Sequence, residues 1–138
     1  MHDGEEPAGS VMLAESHLGL VEGIRGLLGS VFRRIFVVAD EASLFEGAGK
    51  LQPDLIVAEV SLAAGDLPGF MRRLRDCAPA AKVLLLTTYD HPTVWGVVAT
   101  SGADGMVLNR SIATDLLPAV DAVLAGRRYL SRVASRRQ

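Results

Sequence analysis

Pro53-Asp54-Leu55-Ile56-Val57-Ala58-Glu59-Val60-Ser61 decides how the rest of the chain is read. Leu55 to Ala58 form an apolar run of the kind that fills the middle of a parallel sheet covered on both faces. The run breaks on a carboxylate, Glu59, and small, flexible residues follow at Ala63-Ala64-Gly65. In an open α/β sheet, ligands sit in the crevice beyond the carboxyl ends of the strands, so a polar group ending a buried strand points at the working surface. Two other apolar runs end the same way. Val11-Met12-Leu13-Ala14 runs into Glu15 and Ser16, and Val83-Leu84-Leu85-Leu86 runs into Thr87 and Thr88. As parallel neighbours, these strands would bring Glu15, Ser16, Glu59 and Thr87 to one pocket.

Outward from that stretch, strands and helices alternate. Ser10 to Ala14 reads as a first strand, followed by Leu18, Val21, Ile24, Leu27 and Leu28 at helical spacing and a stop at Gly29-Ser30. Phe32 to Ala39 supplies a second strand, and Ala42 to Leu51 a helix weakened by Gly47 and Gly49, each costing roughly 1 kcal/mol relative to alanine. After the third strand, Asp66 caps a helix whose Leu67, Phe70, Met71, Leu74 and Cys77 face the sheet and which ends before Pro79. Lys82 to Thr88 is a fourth strand. Pro92 opens a helix to Ser101 that Gly102 closes, and Asp104 to Asn109 is a fifth strand. The last helix runs from about Thr114 to Ala125, with Pro118 either near its first turn or bending it. Five βα units with short connections require a parallel sheet with helices on both faces and right-handed crossovers.

Composition narrows the function classes. The 138 residues, 49% hydrophobic and 22% charged, suit one domain with a sizeable core. A formal net charge of -2 gives no drive towards nucleic acid or an anionic membrane surface, so direct nucleic-acid binding is not expected. No apolar run has the length of a membrane span, and Met1 to Ser10 is acidic and small rather than basic and apolar. The expectation is a cytoplasmic protein whose residues 1–9 form a disordered leader. Cys77, the single cysteine, leaves no internal disulfide and no cysteine zinc site. His17 and His91 stand at helix starts, where a base or ligand role competes with plain capping; neither has a second histidine at ligand spacing.

From Val11 to about Ser131 the chain resembles a response-regulator receiver domain, the phosphoacceptor module of two-component signalling. It is most similar to receivers that precede a helix-turn-helix DNA-binding domain. The resemblance lies in Val11-Met12-Leu13-Ala14-Glu15-Ser16-His17, Glu22-Gly23-Ile24-Arg25, Leu51-Gln52-Pro53-Asp54-Leu55, Val83-Leu84-Leu85-Leu86-Thr87, Ser101-Gly102-Ala103-Asp104-Gly105 and Ala125-Gly126-Arg127-Arg128-Tyr129-Leu130-Ser131, in that order. It implies the flavodoxin-like (βα)5 three-layer fold, with a parallel sheet of order 2-1-3-4-5. Residues 10–126 would then be the receiver-like domain and residues 127–138 a basic tail or linker remnant.

Family members that work by phosphorylation carry an aspartate where Glu59 stands, two acids where Glu15 and Ser16 stand, a lysine where Asn109 stands, and usually an aromatic at the switch position held here by Met106. Thr87 alone is kept. Phosphoryl transfer is mostly positioning plus neutralisation of charge on the equatorial oxygens. The extra methylene of Glu59 displaces its carboxylate by about 1 Å, enough to spoil in-line geometry. Ser16 removes a negative charge from a magnesium site that needs hard oxygen ligands, and Asn109 brings a donor without a charge. Arg110, as the next residue along a strand, would point to the opposite face. Neither a catalytic group nor a metal ligand is expected, and no cofactor, with magnesium the one candidate left open. Glu59 is then inert, or an imitation of a phosphoaspartate without a lysine to pair with.

For partners, the resemblance points to the face of the fourth helix, fifth strand and fifth helix. Val94, Trp95, Val97 and Val98 are too many apolar residues in a five-residue span to share one stripe, so some face outward. Val94, Trp95 and Val98 are the expected contacts with a protein partner or a second copy, and Trp95 the expected anchor. A sensor kinase and a DNA-binding regulator are the partner classes implied. The five arginines from Arg127 to Arg137 read as a solvated run. The expected function is an atypical receiver that signals, in a phosphorelay or in transcription regulation, through phosphorylation-independent contacts. Its rival is a receiver that still accepts a phosphoryl group, on Glu59 or on Ser16 or Ser61. A flavin-binding reading is disfavoured, because Glu15-Ser16-His17-Leu18 lacks a glycine- or hydroxyl-rich phosphate cradle.

Overall fold

In the structure, a computed structural model describing residues 8–88 and 90–131, β3 (Leu55–Glu59) has all five residues buried. It lies between β1 (Ala8–Ala14) and β4 (Lys82–Thr87), parallel to both. The other elements are α1 (Leu18–Leu28), β2 (Phe32–Val38), α2 (Glu41–Leu51), α3 (Leu67–Cys77), α4 (Pro92–Thr100), β5 (Gly105–Leu108), α5 (Ile112–Leu124) and β6 (Tyr129–Leu130). Short 3-10 turns follow β3 (Val60–Ala63) and β5 (Asn109–Ser111). The strand order is β2-β1-β3-β4-β5-β6 and every pairing is parallel. The expected flavodoxin-like sheet is present, extended by one strand.

Side-chain alternation along the strands feeds two separate cores. Met12, Ile56, Leu85 and Met106 pack with Leu44, Phe70, Leu74 and Val98 of α2, α3 and α4. Val11, Leu13, Val57, Leu84 and Val107 pack with Ile24 and Leu28 of α1 and Leu116 and Val120 of α5. Each buried leucine or isoleucine contributes roughly 1.5–3 kcal/mol by leaving water, so both faces of β3 must be covered for its run to be tolerable. Helix starts are set by side-chain caps. Asp66 accepts from the Gly69 N–H at 3.0 Å, Asp40 from Ser43 at 2.8 Å, His17 from Leu20 at 3.3 Å and His91 from Thr93 at 3.1 Å. Both histidines therefore take the capping role.

Several boundaries differ from the sequence reading. The sheet starts at Ala8, so Ala8 and Gly9 belong to β1 rather than to a leader; residues 1–7 lie outside the described residues. Tyr129 and Leu130, expected in a tail, form β6 opposite Gly105 and Met106, and Ser131 is completely buried. The basic run beyond Ser131 lies outside the described residues. β5 ends at Leu108, so Asn109 begins a turn, and α5 starts at Ile112 with Pro118 inside it. Among the described residues, no helix is long and apolar enough to cross a membrane.

Gly126 has φ +86° and follows the end of α5; its N–H donates to the Val123 carbonyl, and the Arg127 N–H reaches back to Ala122. Gly105 is demanded by packing instead. A Cβ there would meet the Tyr129 carbonyl oxygen at 2.9 Å, Leu84 Cδ1 at 3.0 Å and Val123 Cγ1 at 3.1 Å. Because the nearest atom is the backbone of β6, Gly105→Ala should destabilise the fold by about 1–3 kcal/mol, read as a lower urea midpoint, with β6 amides losing hydrogen-exchange protection first.

Candidate functional site: a paired-carboxyl pocket

Register builds the pocket. Ala14 pairs with Ala58, so the next residues, Glu15 and Glu59, emerge side by side from neighbouring strands. Glu59 lies opposite Leu86, and Thr87 opposite Leu108, which sets Thr87 and Asn109 beside them. Glu15 is 4% exposed, Glu59 8% and Thr87 0%. Ser16 is exposed and adds no charge to the buried pair.

The hydrogen bonds are few and specific. Glu15 Oε2 accepts the His17 backbone N–H at 3.1 Å. Asn109 Nδ2 donates to Glu59 Oε1 at 3.3 Å and to Thr88 Oγ1 at 3.0 Å. Glu15 Oε1 and Asn109 Oδ1 are buried and meet no donor, while the Glu59 carboxyl lies within hydrogen-bonding reach of Glu15. Burial first, and then the Glu15 carboxylate, push Glu59 up to about 7; the N–H groups of Asn109 and Ser61 pull the other way and lose. A carboxyl in this setting carries its proton close to neutrality, and a protonated Glu59 can supply the donor that Glu15 lacks.

Arg110 shares a 3-10 turn with Asn109 and binds the Asp90 carboxylate. Arg110 is thus not the next residue of a strand, and its side chain is engaged by Asp90. Among the described residues, no group of three or more histidine, cysteine or acidic side chains could hold a metal ion. Two of the four carboxyl oxygens already accept N–H donors, and Ser16 adds no charge. Glu15 and Glu59 are the carboxylates that magnesium, which keeps several of its waters, would have to use, and each already has an oxygen that accepts an N–H.

The outlying predicted residues divide. Met106 is fully buried, packed in the core with Val98 and Leu85. Val94 and Trp95 are half-buried against that core. Val98 corrects the sequence reading: at 1% exposure it is a core residue and cannot serve as a contact. Val97, 41% exposed, takes the outward position and lines a groove of about 160 Å³ with Val60, Leu67 and Val94. Sequence reasoning gave no role to Thr88, whose only signal was a second hydroxyl after Thr87. It also missed the buried link from Leu108 N–H to Ser131 Oγ (2.8 Å) and from that hydroxyl to Asp115 Oδ2 (3.2 Å).

No protein-family model matches the chain. It is 24% identical over 133 residues to the transcriptional regulatory protein RcsB of Escherichia coli, an alignment covering 92% of this chain and 61% of RcsB. The chain thus spans about three-fifths of the length of that curated relative. The isolated REC domain of RcsB from Salmonella enterica serovar Typhimurium, in the apo form, superposes with a TM-score of 0.76 at 25% identity, covering 92% of this chain and 96% of that one. A two-component response regulator of the LuxR family from an Aurantimonas strain shares the fold with a TM-score of 0.83 at 24% identity, covering 95% and 94%. With the sheet order and the strand-end pocket these likenesses agree: the chain is a homologue of response-regulator receiver domains.

Proposed function

We propose that the chain is an atypical receiver that signals through phosphorylation-independent protein contacts. The observation that carries this reading is the state of Glu59. Its carboxyl is buried, pushed up to about 7, and committed to Asn109 and Glu15. An acceptor must be an ionised nucleophile with a free in-line face and cations for the incoming phosphoryl oxygens. Glu59 carries its proton close to neutrality, one of its oxygens accepts the Asn109 N–H, and Arg110 is bound to Asp90. Its pairing with Glu15 also argues against mimicry of a phosphoaspartate, since a protonated acid presents less negative charge, not more.

The relative's name, a transcriptional regulatory protein, supports placing the chain in transcription regulation, in the cytoplasm. Its partner would be a protein, either a second copy, a sensor kinase or a DNA-binding regulator. The contact face is that of α4, β5 and α5, with Val97, Val94 and the rim of Trp95 on α4 and Val98 beneath them. Direct nucleic-acid binding has no support in the net charge of -2.

Two measurements test the reading. With magnesium and acetyl phosphate, under conditions that label an ordinary receiver, intact mass should show no phosphoryl adduct; an adduct lost in Glu59→Ala would establish the rival, a working receiver. The second is pH-dependent stability. Glu59 titrates at about 7 folded against 4.5 in its ordinary state, so the folded chain binds the extra proton between these values. Its contribution is complete below about pH 4.5 and is lost as pH rises through about 7. Glu59→Gln, which keeps the acceptor for Asn109 and offers an N–H to Glu15, should therefore gain about 1–2 kcal/mol over the parent chain between about pH 5 and pH 8, a figure reduced for solvent screening. Urea midpoints across that range read it directly.

A further inference from the structure

The contact-based reading, on which this inference rests, assigns a face to α4, β5 and α5 but nothing that controls it. Residues 128–131 run along the outer edge of β5 and bond to all three elements. Arg128 Nη2 donates to the Ala99 carbonyl near the end of α4 at 3.3 Å. The Tyr129 N–H donates to the Asp104 carbonyl just before β5 at 3.3 Å, and the Ser131 N–H to the Met106 carbonyl within it at 2.9 Å. The Ser131 hydroxyl accepts the Leu108 N–H at 2.8 Å and donates to Asp115 Oδ2 of α5 at 3.2 Å. The side chains straddle the sheet: Tyr129 packs on the core beneath α1 and α5, and Leu130 on the core beneath α2, α3 and α4.

This hold is of a kind that can be let go. The strand pairs over only two residues, below the length at which strand pairing is stable by itself. Tyr129 and Leu130 are half-buried, so the apolar area they close is modest. Ser131 is the fully buried member, and it anchors through its hydroxyl rather than through apolar surface. Closed, the hydroxyl, the Leu108 N–H and the Asp115 carboxylate satisfy one another; opened, water replaces each partner, so the net cost of parting them is small. Ahead of these residues Gly126 holds φ +86°, a natural hinge, and Arg127 is exposed.

α4 is the helix most dependent on such a tie. Val98 is its one fully buried residue, with Val94 and Trp95 half-buried, whereas α3 buries Phe70, Met71 and Leu74. Leu130 packs against the same core as Val94 and Trp95. Segments with few buried apolar side chains open locally at low cost. We propose that residues 128–131 form a releasable strap, latched by Ser131 and hinged at Gly126, whose release loosens α4 and changes the surface that Val94, Trp95 and Val97 offer to a partner. Strapped, the edge of β5 is covered and α4 is tied through Ala99; released, the edge is open and the tie is gone.

The test is native-state hydrogen exchange of the full chain by NMR, at several urea concentrations below the unfolding transition. The Tyr129 and Ser131 amides and those of α4 should exchange through one opening that depends little on urea. Ile56 and Val57 of β3 should exchange through global unfolding, with a steep dependence. Ser131→Ala, shown folded by its amide spectrum, should speed exchange at Tyr129, at position 131 and in α4 by about tenfold through loss of the latch, with the urea dependence still shallow. Arg128→Ala, an exposed change that leaves the latch in place, should speed α4 and leave position 131 at the parent rate. β6 amides that share the urea dependence of β3 overturn the strap. β6 amides that open alone, with α4 unmoved in both variants, overturn its control of α4. A phosphoryl adduct on Glu59 by intact mass would sink the contact-based reading and leave these exchange rates untouched, so the two failures are separable.

Discussion

The pairing of Ala14 with Ala58 is the constraint from which the pocket follows. It carries two glutamates to the same end of adjacent strands and seals them there, at 4% and 8% exposure. Two unit charges about 4 Å apart repel by about 4 kcal/mol at the effective dielectric of a protein interior near its surface. A hydrogen bond from an amide to a charged carboxylate returns about 1.5–3 kcal/mol. Asn109 alone therefore cannot hold both acids ionised, and the pair must take a proton or a cation. Among the described residues, Arg110 is bound to Asp90 and Ser16 is neutral and exposed, so neither supplies that charge.

The sheet's other edge is shaped by a different limit. β6 is two residues long and half-buried, too short to be stable on its pairing with β5 alone. Its position is secured from below by the absent side chain of Gly105 and from beyond by Ser131. Ser131, directly after β6, satisfies the Leu108 N–H with its hydroxyl. One hydroxyl thereby joins β5, β6 and α5, and it does so next to Asn109. The site and the edge are mechanically adjacent because β5 is only four residues long.

How much of this was legible in the sequence depended on whether a signal was local. The apolar runs of β1, β3 and β4, each ending on a polar residue, were enough for the parallel sheet and for the pocket's membership. β6 gave no signal, since two residues cannot display an alternation. Asn109 looked like strand because the apolar run before it offers no turn residue, yet Asn109–Ser111 coils into a 3-10 turn. On α4, four apolar residues around Gly96 left the helix phase undetermined; packing buries Val98 in the core, lays Val94 and Trp95 half-buried against it and turns Val97 outward. The contact between Glu15 and Glu59 could not be read at all without the register, because a shift of one residue would separate them.

Residue by residue, the departures from the family pattern look like losses: a displaced acceptor, a missing acid, a missing lysine. Considered together they fit one electrostatic arrangement. The added methylene of Glu59 costs in-line geometry but gives its carboxyl the reach to meet Glu15. A second acid at position 16 would add charge to a pair that already cannot carry two. A lysine at position 109 would favour the doubly ionised pair, whereas Asn109 donates to one Glu59 oxygen without adding a charge.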